Sequence, residues 1–135
     1  MSSIVIDTHT LIWYLTQSPK ISTLAIDRIN QANQNNFPVL IASITLIELI
    51  YLSEKQRIPA FPLQQFFTEL DTPNSPFSII PLTLDIAQSL RQIPRGEVPE
   101  LPDRIITATA HAINLPLITC DYKIRACTVI QTIWD

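Results

Sequence analysis

The sequence predicts an α/β fold built on a small, mainly parallel sheet. Short runs rich in Val and Ile alternate along the chain with longer segments whose apolar residues recur at helical spacing. This alternation is typical of strand–helix–strand units, which build parallel sheets. The chain has 135 residues, of which 47% are hydrophobic. We therefore expect a single domain with its own core over residues 1–135.

Five strands are predicted, and the first, second and fourth are expected to be buried. Each buried strand is a short apolar run bounded by polar residues, Pro or Asp. The fifth strand, close to the C-terminus, is a candidate edge strand. The strands are expected at residues 3–6, 38–42, 77–80 and 117–118, with the edge strand at 128–132.

Helices are predicted between these strands. Ser22 and Ser43 are the expected N-caps of two of them, because a serine hydroxyl accepts a hydrogen bond from an unpaired N–H group at a helix start. Pro19 ends the first helix and Pro116 stops the last one. The predicted helices cover about residues 11–15, 22–33, 44–56, 63–70, 83–93 and 101–113.

The helix that begins at Leu101 organises the rest of the chain. Pro102 suits the first turn, because that position has no intrahelical N–H bond to lose. Asp103 lies in the same turn, where the helix dipole favours a carboxylate. Residues at helical spacing mark the expected packed face, namely Ile105, Ile106, Thr109, Ala112 and Ile113.

Composition excludes several classes of protein. Gly96 is the only glycine, which rules out a P-loop and a Rossmann glycine fingerprint. No apolar run reaches the length of a membrane span and no signal-peptide pattern is present, so we expect a cytoplasmic protein. Cys120 and Cys127 are expected to remain thiols. The net charge of −3 provides no global basic field for nucleic acid.

Four acids stand next to the predicted strands. Asp7 follows the first strand, Glu48 lies in the helix after the second, Asp103 opens the helix before the fourth, and Asp121 ends that strand. The carboxyl ends of parallel strands meet at one edge of a sheet, so these acids are expected to converge. Clustered carboxylates need a counter-charge, and a hard cation such as Mg²⁺ or Mn²⁺ prefers oxygen ligands. Such a metal activates water and stabilises charge on a phosphate.

Each acid also has a structural alternative. Asp7 could cap the helix that starts near Thr10, Asp103 could be only a helix N-terminal acid, and Asp121 could be a turn residue. Glu48 has apolar neighbours on its own helix, and an unpaired buried carboxylate is costly. Its alternative is a structural ion pair with an arginine.

Other polar and aromatic residues carry weaker indications. His111 is expected to be a hydrogen-bonded structural residue, and Trp13 and Tyr14 are expected to pack in the core or at an interface. His9 is close enough to Asp7 to touch a substrate, but we do not count it among the site residues. The basic cluster Arg91, Arg95 and Arg104 is a solvated surface in the simpler interpretation, and a phosphate contact in the sharper one.

Four segments of the chain resemble the motifs of PIN-domain ribonucleases of the VapC toxin type. They are Asp7-Thr8-His9-Thr10-Leu11-Ile12-Trp13-Tyr14-Leu15, Ser43-Ile44-Thr45-Leu46-Ile47-Glu48, Pro102-Asp103-Arg104-Ile105-Ile106 with Ala108-Thr109-Ala110, and Leu117-Ile118-Thr119-Cys120-Asp121. Each segment carries one of the four acids, in the family's order and spacing. The resemblance spans nearly the whole chain.

This resemblance implies a PIN-like three-layer αβα fold and Mg²⁺- or Mn²⁺-dependent endoribonuclease activity. It implies that the four acids are both the catalytic residues and the metal ligands, with Thr119 as a polar neighbour. It also implies a homodimer and a cognate antitoxin that inserts a segment into the active-site groove. We hypothesise that Asp7 and Asp103 are the main ligands, that Asp121 completes the coordination directly or through water, and that Glu48 orients water or holds a second ion.

Two other functions remain open from the residues. One is a different Mg²⁺-dependent phosphoryl-transfer enzyme or a receiver-like domain. Asp7-Thr8-His9 weakens this alternative, because it lacks the second aspartate that an aspartyl-phosphate hydrolase needs. The other is a non-catalytic PIN-like binding module, against which the four intact acids argue.

Overall fold

A computed structural model of the chain describes residues 3–135 and contains a five-stranded parallel sheet in the order β3-β2-β1-β4-β5. The predicted parallel α/β fold is therefore confirmed. The central strand β1 pairs with β2 on one side and β4 on the other. The strands are β1 (Ile4–Ile6), β2 (Val39–Ala42), β3 (Phe77–Ile80), β4 (Leu117–Ile118) and β5 (Thr132–Ile133).

Seven α-helices and one 3₁₀ helix connect these strands within the described residues. The α-helices are α1 (Thr8–Leu15), α2 (Thr23–Gln34), α3 (Ser43–Glu54), α4 (Ala60–Leu70), α5 (Leu84–Ser89), α6 (Leu101–Ala112) and α7 (Tyr122–Ala126), and the 3₁₀ helix is Leu90–Gln92. No helix in this part of the chain has both the length and the apolar character needed to cross a membrane.

Helices cover both faces of the sheet. Ile4 and Ile6 of β1 pack into one buried cluster and Val5 into another, as alternation along a strand requires. Helices α1, α2 and α4 contribute to the first cluster, and α5, α6 and α7 contribute to the second. This gives three layers, and the strands are apolar because both of their faces are buried.

Of the two predicted serine N-caps, Ser22 is confirmed and Ser43 is not. Ser22 is the N-cap of α2, and its hydroxyl accepts a hydrogen bond from the Ala25 N–H at 3.0 Å. The prediction that Ser43 caps α3 is wrong, because the N-cap is Ala42 and Ser43 is already helical. The Ser43 hydroxyl instead accepts a hydrogen bond from the Leu82 N–H at 3.2 Å, which ties α3 to the loop after β3.

The predicted packed face of α6 is partly wrong. Ala112 is exposed, whereas the continuous run from Ile106 to Ala110 is buried. Helix α6 packs against α3, α5 and β2 together, so more than one of its faces is covered. A single stripe at helical spacing describes a helix with one buried side, and α6 has more than one.

The C-terminal segment contains a helix that the sequence pattern did not predict. Helix α7 follows Asp121 directly, in a stretch for which no element was predicted. The edge strand β5 begins at Thr132 rather than at Thr128 and pairs with β4 in parallel.

Candidate active site

Asp7 lies at the end of the central strand and is almost completely buried, with 4% of its surface exposed. It is the N-cap of α1, and its Oδ1 accepts a hydrogen bond from the Thr10 N–H at 2.9 Å. Its Oδ2 accepts a second one from the Thr119 hydroxyl at 2.5 Å. Burial raises the pKa of Asp7, while these hydrogen bonds and the nearby His9 oppose the rise.

Glu48 is half-buried on α3, and a hydroxyl from another helix holds it in place. The Thr8 hydroxyl donates to Glu48 Oε1 at 2.6 Å and lies 3.1 Å from the hydroxyl of Thr45. Because Thr8 has one hydroxyl proton and gives it to Glu48, Thr45 must be the donor to Thr8. Two buried hydroxyls therefore form a directed chain that ends on the carboxylate.

Asp121 is the N-cap of α7. Its Oδ1 accepts hydrogen bonds from the N–H groups of Lys123 at 2.9 Å and Ile124 at 3.1 Å. The Asp121 N–H in turn donates to the Thr119 hydroxyl oxygen at 3.0 Å. Thr119 thus links Asp7 and Asp121, and its predicted place beside the acids is confirmed.

Asp103 lies in the first turn of α6, partly exposed, and faces the other three acids. Burial and the negative charges of Asp121, Glu48 and Asp7 raise the pKa of Asp103 to about 6. These carboxyls therefore lie within electrostatic range of one another. Asp7 and Asp121 lie after strands β1 and β4, whereas Glu48 belongs to helix α3. That the four acids form one functional site stays a prediction.

The donor chemistry of this cluster fits a hard divalent cation. All four side chains offer oxygen, and a bound cation would relieve the mutual repulsion seen at Asp103. Across residues 3–135, no three His, Cys, Asp or Glu side chains approach closely enough to bind one ion together. Mg²⁺ usually keeps several of its waters and takes one or two protein carboxylates, so its binding does not require such a group.

The two histidines occupy different settings. His111 Nε2 lies 2.6 Å from Gln92 Oε1, which confirms the predicted hydrogen-bonded structural residue. His9 is exposed beside the acids, and its ring centroid lies 5.8 Å from that of Trp13. Trp13 packs against the core, as does Tyr14, whose ring meets Phe77 edge-on.

Arg104 does not have the role that the sharper interpretation gave it. Its Nε donates to the Ile93 carbonyl at 2.9 Å, and its Nη2 donates to the Leu90 carbonyl at 3.0 Å. The guanidinium thus holds the segment after the 3₁₀ helix against α6. Arg91 and Arg95 are exposed, as the solvated-surface interpretation expects.

Both cysteines are free thiols, as predicted. Cys127 is buried in the core. Cys120 lies next to the acid cluster, where burial and the charges of Asp7 and Asp121 raise the pKa of its thiol.

Sequence reasoning missed three features of this site. It did not find the Thr8 and Thr45 hydroxyl chain, because nothing in the sequence shows that α1 and α3 meet there. It also missed the clamp formed by Arg104. The cap role of Asp121 was detectable, since an Asp directly before a short amphipathic stretch is a common helix start.

The PIN domain family model matches residues 4–128, and this chain therefore belongs to the PIN domain family. The predicted family resemblance is confirmed at this level. The match includes all four acids and the three threonines that donate hydrogen bonds to them, Thr8, Thr10 and Thr119.

One curated protein is similar in sequence, and several solved structures are similar in fold. Ribonuclease VapC22 of Mycobacterium tuberculosis is 26% identical over 127 residues, which is 93% of this chain and 92% of that protein. The crystal structure of VapBC2 from Rickettsia felis, bound to a promoter DNA fragment, matches with a TM-score of 0.71 at 21% identity. It covers 98% of this chain and 99% of that one.

A second solved structure has a similar fold. DNA-bound VapBC from Salmonella typhimurium matches with a TM-score of 0.70 at 22% identity, and covers 98% of each chain. At such identities the likeness concerns the fold, and it confirms the predicted PIN-like three-layer architecture.

Proposed function

We propose that this chain is an endoribonuclease that hydrolyses RNA phosphodiester bonds with Mg²⁺ or Mn²⁺, and that it is the toxin of a toxin–antitoxin pair. The observation that carries the proposal is the placement of four carboxylates near the carboxyl end of the parallel sheet, where burial and the charges of Asp121, Glu48 and Asp7 raise the pKa of Asp103. The curated relative named as a ribonuclease supports the substrate class. We further propose that residues 1–135 form one PIN domain in the cytoplasm.

In this mechanism Asp7 and Asp103 would hold the cation, Asp121 would complete its ligands directly or through water, and Glu48 would orient a water molecule. When bound, the cation activates water and stabilises the negative charge that develops on the scissile phosphate. The protein contributes rigid positions for its acids. Asp7 is held by Thr10 and Thr119, and Glu48 by Thr8.

The solved toxin–antitoxin complexes with this fold support an antitoxin as partner. A second copy of the chain is the other partner we propose. Helix α3 exposes Ile47 and Tyr51 by 61% and 56%, and Leu84 at the start of α5 is 72% exposed. Exposed apolar side chains of this size are common at contacts between proteins. Sedimentation of the purified protein tests the homodimer.

Cleavage of RNA by antitoxin-free protein, with Mg²⁺ or Mn²⁺ against EDTA, tests the enzyme. We expect metal-dependent cleavage that is lost in Asp7→Asn and in Asp103→Asn. Both substitutions keep the size of the side chain and remove one charge. Asp27→Asn, on the exposed side of α2, is the matched control and should cleave like the wild type.

Full activity in both Asp7→Asn and Asp103→Asn would refute the assignment of the acids. A folded wild-type protein that binds RNA but cleaves none with either metal would instead favour the non-catalytic binding module.

A further inference from the structure

An exposed aromatic ring stands at the rim of the acid cluster. His9 is exposed although it follows the nearly buried Asp7 by only two residues. It stands in the first turn of α1, the helix whose N-cap is Asp7. A substrate whose phosphodiester reaches these acids would therefore pass beside His9.

Other rings support His9 from behind. The centroids of His9 and Trp13 are 5.8 Å apart with the planes tilted by 57°, a common geometry for aromatic contacts. The two residues are four apart on α1 and so share one face of the helix. Trp13 contacts Trp134 in the same way, at 6.0 Å, and packs against the core. Since Trp13 is anchored, its contact restricts the orientation of the exposed imidazole.

Because the protein is acidic, part of its affinity for RNA must come from contacts that do not depend on charge. Phosphate contacts from Lys and Arg usually supply much of the affinity for nucleic acid. Here the net charge is −3, and Arg104 is committed to backbone carbonyls. Stacking of bases on aromatic side chains needs no cation and is the usual way in which proteins hold unpaired bases.

We propose that the exposed face of His9, backed by Trp13, stacks on an unpaired base of the substrate RNA next to the phosphodiester at the acids. This inference rests on the proposed ribonuclease function, because it assigns a contact to the same substrate. It predicts that single-stranded RNA binds better than duplex, since a paired base cannot be presented to the ring. The contact tolerates different bases, because every base has a face that can stack.

Tryptophan fluorescence provides a direct test, because Trp13 and Trp134 are the only tryptophans in the chain. A mixed-sequence single-stranded 12-nucleotide RNA is titrated into the full-length Asp7→Asn protein with Mg²⁺, a background in which we expect no cleavage. Affinity is measured by anisotropy of a labelled copy and the stack by quenching of tryptophan emission. Adding His9→Ala should weaken binding by about tenfold and reduce the quenching.

Two further variants separate stacking from charge and hydrogen bonding at the same ring. His9→Phe keeps a flat ring without nitrogen atoms and should retain most of the affinity. His111→Ala removes the other histidine, which bonds Gln92, and should bind like its parent. Equal binding by the His9→Ala and parent proteins would overturn the proposal. So would an equal loss in His9→Phe, because the imidazole would then act through its charge or its nitrogen atoms.

The two proposals can fail separately. RNA binding that depends on the ring at position 9, in a protein that never cleaves RNA in its wild-type form, would support the stacking site and refute the nuclease. Cleavage that persists with the same substrate affinity in His9→Ala would leave the nuclease intact and refute the stack. No RNA binding by any form of the protein would overturn both.

Discussion

Replacement of Asp103 by asparagine should stabilise the metal-free protein at neutral pH while abolishing the proposed cleavage. The carboxyl of Asp103 has a pKa of about 6 because burial and three neighbouring acids disfavour its charged form. At pH 7.5 the folded protein must nevertheless carry that charge. Asparagine fills the same space without it, so the folded state loses a repulsive interaction.

The size of the effect follows from this pKa. A carboxyl whose pKa rises from about 4 to about 6 is destabilised by at most ~3 kcal/mol in its ionised form. Asp103 is partly exposed, and solvent screening reduces this to about 1.5 kcal/mol. Loss of a favourable charge in the first turn of α6 costs about 0.5 kcal/mol. A net gain of about 1 kcal/mol corresponds to a rise in Tm of about 4 °C for a domain of this length.

The stability of the wild type should fall as the pH rises through the range in which Asp103 loses its proton. Between about pH 4 and 6 the folded wild type binds more protons at Asp103 than the unfolded chain does, so its stability falls as the pH rises through this window. The Asp103→Asn protein lacks this fall. The two Tm values should therefore be close near pH 4 and differ fully above pH 6.

Thermal melts in EDTA from pH 4 to 8 measure both quantities. Asp27→Asn, an exposed position on α2, controls for the loss of one negative charge and should change Tm far less. If Asp103→Asn melts at or below the wild type at pH 7.5, the repulsion inferred from the cluster is not a destabilising force, and the reasoning is refuted.

Two further predictions concern the same cluster. Mn²⁺ at about 100 times its dissociation constant should raise the free energy of unfolding of the wild type by about 2.7 kcal/mol, and that of Asp103→Asn by far less. Calorimetric melts at pH 7.5 measure this effect. Equal shifts in the two proteins would contradict the role of Asp103 as a ligand. Thr8→Val removes the donor to Glu48 and the acceptor for Thr45. It should cost about 1–3 kcal/mol of stability and lower RNA cleavage, whereas Thr8→Ser should keep both near the wild-type level. Denaturant unfolding and cleavage rates compare the two variants.

The sequence predicted the acids at the sheet edge for a physical reason. Asp7 directly follows β1, and Asp121 comes three residues after the end of β4. Because parallel strands end together, their positions follow from hydrophobic pattern and topology. Glu48 could be placed because a carboxylate among isoleucines and leucines needs a partner. The sequence could not identify Thr8 as that partner, because the contact depends on how helices α1 and α3 cross.

The errors also share a cause. The sequence around Ser43 matches a helix cap, but the hydroxyl is bonded by the Leu82 N–H, which belongs to a loop 39 residues away. Ala112 lies at the helical spacing of the predicted packed face of α6, yet it is exposed. The spacing fails there because α6 packs against neighbours on more than one side. Local preference decides such positions only where no tertiary contact competes.

Asp121 can act both as a structural N-cap and as a charged residue of the proposed site, and one substitution can separate the two roles. Asp121 caps α7 through Oδ1 and also raises the pKa of Asp103 by its charge. Serine is as good an N-cap as aspartate but carries no charge. Asp121→Ser should therefore keep the stability of α7, lower the pKa of Asp103 and reduce metal-dependent cleavage. Asp121→Ala should lose the cap as well, at a cost of about 1 kcal/mol. NMR titration of Asp103 and denaturant unfolding measure these effects, and a serine variant that cleaves RNA like the wild type would leave Asp121 with the cap role alone.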